Sequence, residues 1–194
     1  MRRIVILLTA LAAALSLTIR PASATGWIIS EPHGTLVWFS GLSVSLVSPG
    51  GATLACEEHY MGGALINRPD PRIALLNDQG FTRCGGPFGM VFEMYVSNTW
   101  ELTAISPTAD PDVNNVVLTN ISLHLNGPAC SASFTGSIPG TYDNETAELH
   151  LDGTGSASLT ASSVSGCLGI VRNGDIFTWT GDYLADPPFT LHME

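Results

Sequence analysis

Short runs of alternating apolar and polar residues, rich in β-branched and aromatic side chains, recur along almost the whole chain. Thr35-Leu36-Val37-Trp38-Phe39, Leu42-Ser43-Val44-Ser45-Leu46-Val47, Ile121-Ser122-Leu123-His124-Leu125, Ala147-Glu148-Leu149-His150-Leu151 and Ile176-Phe177-Thr178-Trp179-Thr180 have the period of strands. Turn clusters separate the runs: Ser48-Pro49-Gly50-Gly51, Arg68-Pro69-Asp70-Pro71, Asp110-Pro111-Asp112, Asn126-Gly127-Pro128 and Asn173-Gly174-Asp175. No ten-residue window carries a convincing helical face. About ten to twelve strands at this spacing predict an all-β, single-domain fold, a β-sandwich or an irregular barrel.

The N-terminus has a different character. Arg2 and Arg3 precede an apolar run from Ile4 to Leu15, and Ala22-Ser23-Ala24 supplies a small-residue cleavage pattern. Residues 1–24 therefore read as a secretory signal peptide, leaving 25–194 as one secreted domain. An uncleaved anchor is the competing account, but the run lies near the lower end of spanning length. The arginine pair lacks twin-arginine flanks, and no cysteine follows the run to take a lipid.

Charge narrows the partners. Only 12% of residues are charged, about half the usual share, and Ser, Thr, Gly and Asn fill the difference. All seven basic residues are arginine, so neither a Schiff-base lysine nor a phosphate-loop lysine is available. Beyond residue 24 four arginines face 17 carboxylates, a formal charge of −13. Phosphate neutralisation needs basic clusters, so nucleic acid is excluded as a natural partner, and an anionic membrane surface is disfavoured for the same reason. Cationic and neutral ligands remain open.

Four cysteines, Cys56, Cys84, Cys130 and Cys167, follow the signal, in a compartment where disulfides persist. Three connectivities are possible. Each half of the chain holds one pair in similar surroundings: Ala55-Cys56 leads to Cys84-Gly85-Gly86-Pro87, and Ala129-Cys130 to Cys167-Leu168-Gly169-Ile170. That organisation predicts Cys56–Cys84 and Cys130–Cys167, each worth roughly 3 to 4 kcal/mol on the chain-entropy model. A metal site would need closely spaced ligand pairs, which the spacing does not supply.

One hairpin is expected at Ser97-Asn98. Pairing Met90–Val96 with Thr99–Ile105 across a two-residue loop sets Tyr95 beside Trp100, with Glu93 on the same face. Glu93, Tyr95 and Trp100 thus form a possible ligand surface, and Glu93 is the carboxylate to test first for glycoside hydrolysis. Trp38 and Trp179 are further rings that a sugar could stack on.

Catalytic motifs are sparse: the chain has no G-x-S-x-G, H-E-x-x-H or phosphate loop. Asp152-Gly153-Thr154-Gly155-Ser156 resembles an aspartic-protease turn, but an inserted glycine spoils it. Asp110, Asp112 and Asn114 open like a calcium loop, yet Asn115 and Ile121 stand where glycine and glutamate are needed. His124 and His150 occupy like places in two strands and would be at most a weak pair on one outward face. Asn120-Ile121-Ser122 and Asn144-Glu145-Thr146 are glycosylation patterns by letter. No catalytic residue, metal or cofactor is expected. The prolines of Asp186–Glu194 favour a loose end or an edge strand.

The order of several segments carries a resemblance. Cys84-Gly85-Gly86-Pro87 is followed by Trp100-Glu101-Leu102-Thr103-Ala104, Leu125-Asn126-Gly127-Pro128-Ala129-Cys130, Tyr142-Asp143-Asn144-Glu145-Thr146, Val164-Ser165-Gly166-Cys167-Leu168-Gly169-Ile170 and Asn173-Gly174-Asp175. From about Leu54 to Tyr183 the chain resembles small secreted bacterial β-proteins of the alkane-oxidation protein activator and biofilm-associated Pra-type family. It departs from them at Glu57-Glu58-His59, in the prolines between Arg68 and Arg72, and in a longer second cysteine loop. The resemblance implies an extracellular, non-catalytic protein linked to cell-surface or biofilm properties and to hydrophobic material.

Two functional expectations follow. The first is a secreted, non-enzymatic β-protein acting at the cell surface or in the extracellular matrix by contact with a protein, a polymer or a hydrophobic phase. The second is a carbohydrate-binding module or glycoside hydrolase using the aromatic residues and Glu93.

Overall fold

The computed structural model describes residues 26–30, 35–66, 70–154 and 158–193. The expected signal segment, residues 1–24, lies outside the described residues. So do parts of the turns at Arg68–Pro71 and Asp152–Ser156.

Twelve strands form among the described residues: β1 (Trp27–Ser30), β2 (Leu36–Val47), β3 (Thr53–Leu65), β4 (Arg72–Gly85), β5 (Val91–Val96), β6 (Trp100–Pro107), β7 (Val113–Gly127), β8 (Cys130–Asp143), β9 (Glu148–Asp152), β10 (Leu159–Gly166), β11 (Ile176–Asp186) and β12 (Thr190–Met193). Several are longer than the sequence runs within them. Thr35–Phe39 and Leu42–Val47, for example, merge into β2, and Ser43 at φ 61° accommodates an irregularity in its pairing with β11.

All pairings are antiparallel, and ten of the strands close into an eight-position barrel. Around the wall run β2, β3, β4, a position shared by β5 and β6, then β7, β8, a position shared by β9 and β10, and β11, which returns to β2. Sharing is end to end. β5 meets β4 at Cys84–Gly85 and β7 at Leu123–Asn126; β6 meets β4 at Arg72–Leu76 and β7 at Asn114–Thr119. β9 and β10 divide the space between β8 and β11 in the same way.

This arrangement corrects the expected hairpin. Both strands exist at about the predicted positions, but they are collinear neighbours of β4 and β7 and do not pair with each other. A strand's inward set is fixed by the wall it joins, not by its sequence neighbour. Phe92 and Met94 of β5 and Trp100, Leu102 and Ala104 of β6 therefore all point inward.

An eight-stranded barrel has an interior that side chains just fill. Here Phe39, Leu46, Met61, Leu76, Trp100, Phe134 and Trp179 are among the fully buried residues. A buried histidine joins them. His59 stacks on Phe81 with ring centroids 4.0 Å apart, meets the rings of Trp100 and Trp179, and hydrogen-bonds through Nδ1 to the Tyr183 hydroxyl at 2.8 Å. Burial lowers its pKa from 6.5 to about 3.

The two ends of the barrel differ. At the end where β2 starts and β11 finishes, β1 and β12 form a two-stranded cap. Phe189 stacks on Tyr142 at 4.5 Å, the Tyr142 hydroxyl donates to Phe189 O, and Asn114 and Asn144 both donate to Leu191 O. The C-terminal segment is thus an edge strand anchored by side chains. At the opposite end lie both disulfides, Cys56–Cys84 and Cys130–Cys167, paired as expected. Cys56 and Cys84 are direct partners in the β3–β4 ladder; Cys130 pairs with Gly166 beside Cys167. Bonds of this kind belong to an oxidising compartment. No helix among the described residues is long and apolar enough to cross a membrane.

Candidate functional surface

The sequence-derived trio is divided by the wall. Glu93 and Tyr95 lie on the outer face of β5, where the Tyr95 hydroxyl donates to Glu93 and this hydrogen bond raises the phenol pKa above its ordinary value. Trp100 is completely buried, and so is Trp179. Neither ring presents a face to a ligand. Trp38 differs: it is 41% exposed on the outside of β2.

Register also separates the other motifs. His124 hydrogen-bonds Ser133 and His150 hydrogen-bonds Asp182, and they pair with β8 at Ser133 and Thr141 respectively. Eight positions along one strand amount to about 26 Å, so the two histidines are not neighbours. Asn114 of the calcium-like run is buried and holds the C-terminal cap, while the Asp110 carboxylate accepts from the Asp112 backbone in a local turn. Asn120 and Asn144, the two glycosylation patterns, use their amides on Thr99 O and Leu191 O.

A feature that sequence reading did not single out stands at the disulfide end. Pro87-Phe88-Gly89-Met90 and Cys167-Leu168-Gly169-Ile170 form the same tight turn, closed by Met90 N–H to Pro87 O at 3.2 Å and Ile170 N–H to Cys167 O at 2.8 Å. Both central residues have positive φ in each turn: Phe88 60° and Gly89 71°, Leu168 48° and Gly169 78°. These are type I′ dihedrals, where Asn, Asp and Gly are the favoured first residues. A bulky side chain there costs about 1 kcal/mol or more.

Burial does not offset that cost. Phe88 is 88% exposed and Leu168 79% exposed, the highest values among the large apolar side chains described. Val91 and Ile176, at the starts of β5 and β11, are exposed at the same end. The two turns flank an open depression of about 580 Å³ floored by the glycine-rich β2–β3 turn. Its lining residues include no ionisable side chain, in a chain with 17 carboxylates. Beneath it a narrow apolar crevice, bounded by Leu54, Phe92, Phe134 and Phe177, leads toward the core. The cue in the sequence was an apolar residue before glycine shortly after the second cysteine of each pair, Phe88-Gly89 after Cys84 and Leu168-Gly169 after Cys167. Only the fold brings the two tips side by side.

Fold and surface together define a disulfide-braced β-barrel with a side-chain-filled interior and, at its disulfide end, two apolar turn tips beside a depression lined by uncharged residues. No family model, no curated protein and no solved structure matches this chain.

Proposed function

We propose that this is a secreted, non-enzymatic contact protein of the cell surface or extracellular matrix, and that its disulfide end seats on apolar material. The observation carrying this reading is the pair of exposed apolar residues, Phe88 and Leu168, held at positive φ in matching turns. Strain that persists without packing gain points to a use outside the fold. Fully burying each side chain in an apolar phase is worth about 1.5 to 3 kcal/mol, more than the backbone cost. Each turn follows closely on a disulfide-bonded cysteine, Cys84 or Cys167, so little ordering entropy is lost on contact. Secretion is supported by the N-terminal pattern and by the paired cysteines.

The test replaces both tips with a residue that tolerates left-handed backbone. Phe88→Asn with Leu168→Asn keeps the turns and removes the apolar tips. Adsorption of the variant to hexadecane droplets and neutral lipid vesicles should fall by at least about tenfold relative to wild type, with unchanged far-UV circular dichroism. Equal adsorption of the two proteins overturns the proposal. Recovery of a mature chain beginning at Thr25 from culture supernatant tests secretion separately.

A further inference from the structure

A second surface lies on the barrel wall and is built from residues other than those of the apolar turn tips. Outward-facing residues of β11, β2, β3 and β4 form rows across the ladder. Asp186, Trp38, Gly62 and Asp78 make one row. Leu184, Ser40, Tyr60 and Gly80 make the next, and Asp182, Leu42, Glu58 and Thr82 the third. The centre of this grid is aromatic or aliphatic, and its borders carry carboxylates. Glu148 extends the acidic border beside Leu184.

The rings at the centre lie against the wall. A Cβ on Gly62 would meet Trp38 ring atoms at 2.5 Å, and a Cβ on Gly80 would meet the Tyr60 ring at 2.4 Å. Glycine beneath each ring lets it fold onto the backbone with its outer side uncovered. Trp38 remains 41% exposed and Tyr60 38%, their centroids 5.9 Å apart. Their planes are inclined at 49°, so the two rings offer separate stacking faces along the wall, and the edges of a ligand over either ring would reach the carboxylates.

Charge chooses among ligands. Asp186 and Asp78, on either side of Trp38, are exposed and have no partner among the described residues. The carboxylates of the third row are partly engaged: Glu58 accepts from Thr82, and Asp182 is paired with His150. Arg83, the nearby cation, is held by Glu57 at 2.7 Å. A second copy of this chain would set acidic border against acidic border, which opposes self-association through this face.

We infer that the β11–β2–β3 wall binds a polysaccharide bearing free amino groups. Each ring takes the C–H face of its own pyranose unit, and a neighbouring ammonium group pairs with Asp186 or Asp78, where the aromatic faces also attract positive charge. In a β-linked chain successive units turn over and present their amines on alternate edges. Carboxylates on both borders match that alternation.

Calorimetric titration of the whole mature protein with a β-1,4-linked glucosamine hexamer, at a pH where its amines are charged, is the test. Binding should weaken on the order of tenfold in Trp38→Ala, in Asp78→Asn/Asp186→Asn, and for the fully N-acetylated hexamer. The carboxamide variant is nearly isosteric and exposed, so it separates lost recognition from lost folding. Phe88→Asn/Leu168→Asn should bind the hexamer like wild type, which keeps this inference distinct from the apolar contact proposed above. Three results would overturn it: no binding of the hexamer, equal binding of the acetylated form, or oligolysine binding as tightly with the same dependence on Trp38.

Discussion

Acidification should expose the cost of keeping His59 neutral. The imidazole is buried among Phe81, Trp100, Trp179 and Tyr183, its Nδ1 bonded to the Tyr183 hydroxyl and its Nε2 without a partner among the described residues. Its pKa in the fold is lowered to about 3, against about 6.5 in an unfolded chain. Between those values the unfolded chain binds a proton that the native protein does not, so stability falls as pH drops from 6.5 toward 3 and is level above 6.5. At pH 4.5 two units of that window have been crossed, a loss of about 3 kcal/mol from this one group. Carboxylates also titrate at that pH. The comparison is therefore with His59→Leu/Tyr183→Phe, which removes both ends of the buried hydrogen bond and leaves no orphan hydroxyl. Guanidinium unfolding at pH 7, 5.5 and 4.5, with disulfides intact, gives the two pH slopes. Wild type should lose about 3 kcal/mol more than the double variant by pH 4.5. Parallel slopes would refute the account of His59 as a neutral core residue.

Other expectations follow from single contacts. Asn144→Ala removes the amide that both donates to Leu191 O and accepts from Leu191 N–H, so β12 should lose hydrogen-exchange protection and the protein about 1 to 3 kcal/mol of stability. Protection equal to wild type at Leu191 would argue against that anchor. Phe88→Asn and Leu168→Asn should leave the melting temperature unchanged or raise it, because each exchanges a strained turn residue for a tolerant one. A fall of several degrees in either variant would show that these side chains support the fold. Replacing Cys130 and Cys167 with alanine should cost about 3 to 4 kcal/mol, measured by denaturant midpoint. A change below about 1 kcal/mol would mean that the unfolded chain gains little freedom from opening the loop.

Much of the architecture could be read from local pattern. Alternation at Leu36–Val47 and Ile121–Leu125 marks strands because a barrel wall has one buried face, and the same arithmetic assigns inward and outward residues within each strand. The cysteine echo anticipated both disulfides because each pair belongs to one stretch of antiparallel ladder. What failed was pairing. Two strands separated by Ser97-Asn98 look like a hairpin, and local pattern holds no information on whether the second strand folds back or continues along the wall. That error moved Trp100 from the core to an imagined surface beside Tyr95. The histidine pair failed for the same reason: similar strand contexts say nothing of relative height along β8. Phe88 and Leu168 were passed over because an apolar residue before glycine in a loop carries no distinguishing period.

Sequence alone determined the all-β class, the strand-and-turn rhythm, the cysteine pairing and the acidic excess, all of which depend on residues near one another in the chain or on composition. Tertiary structure decided which side chains share a surface. Barrel closure brought β11 against β2, set Asp186 beside Trp38, and gathered two distant cysteine loops at one end. Those juxtapositions depend on register between strands far apart in sequence, where one residue of slip would turn every ring to the opposite face.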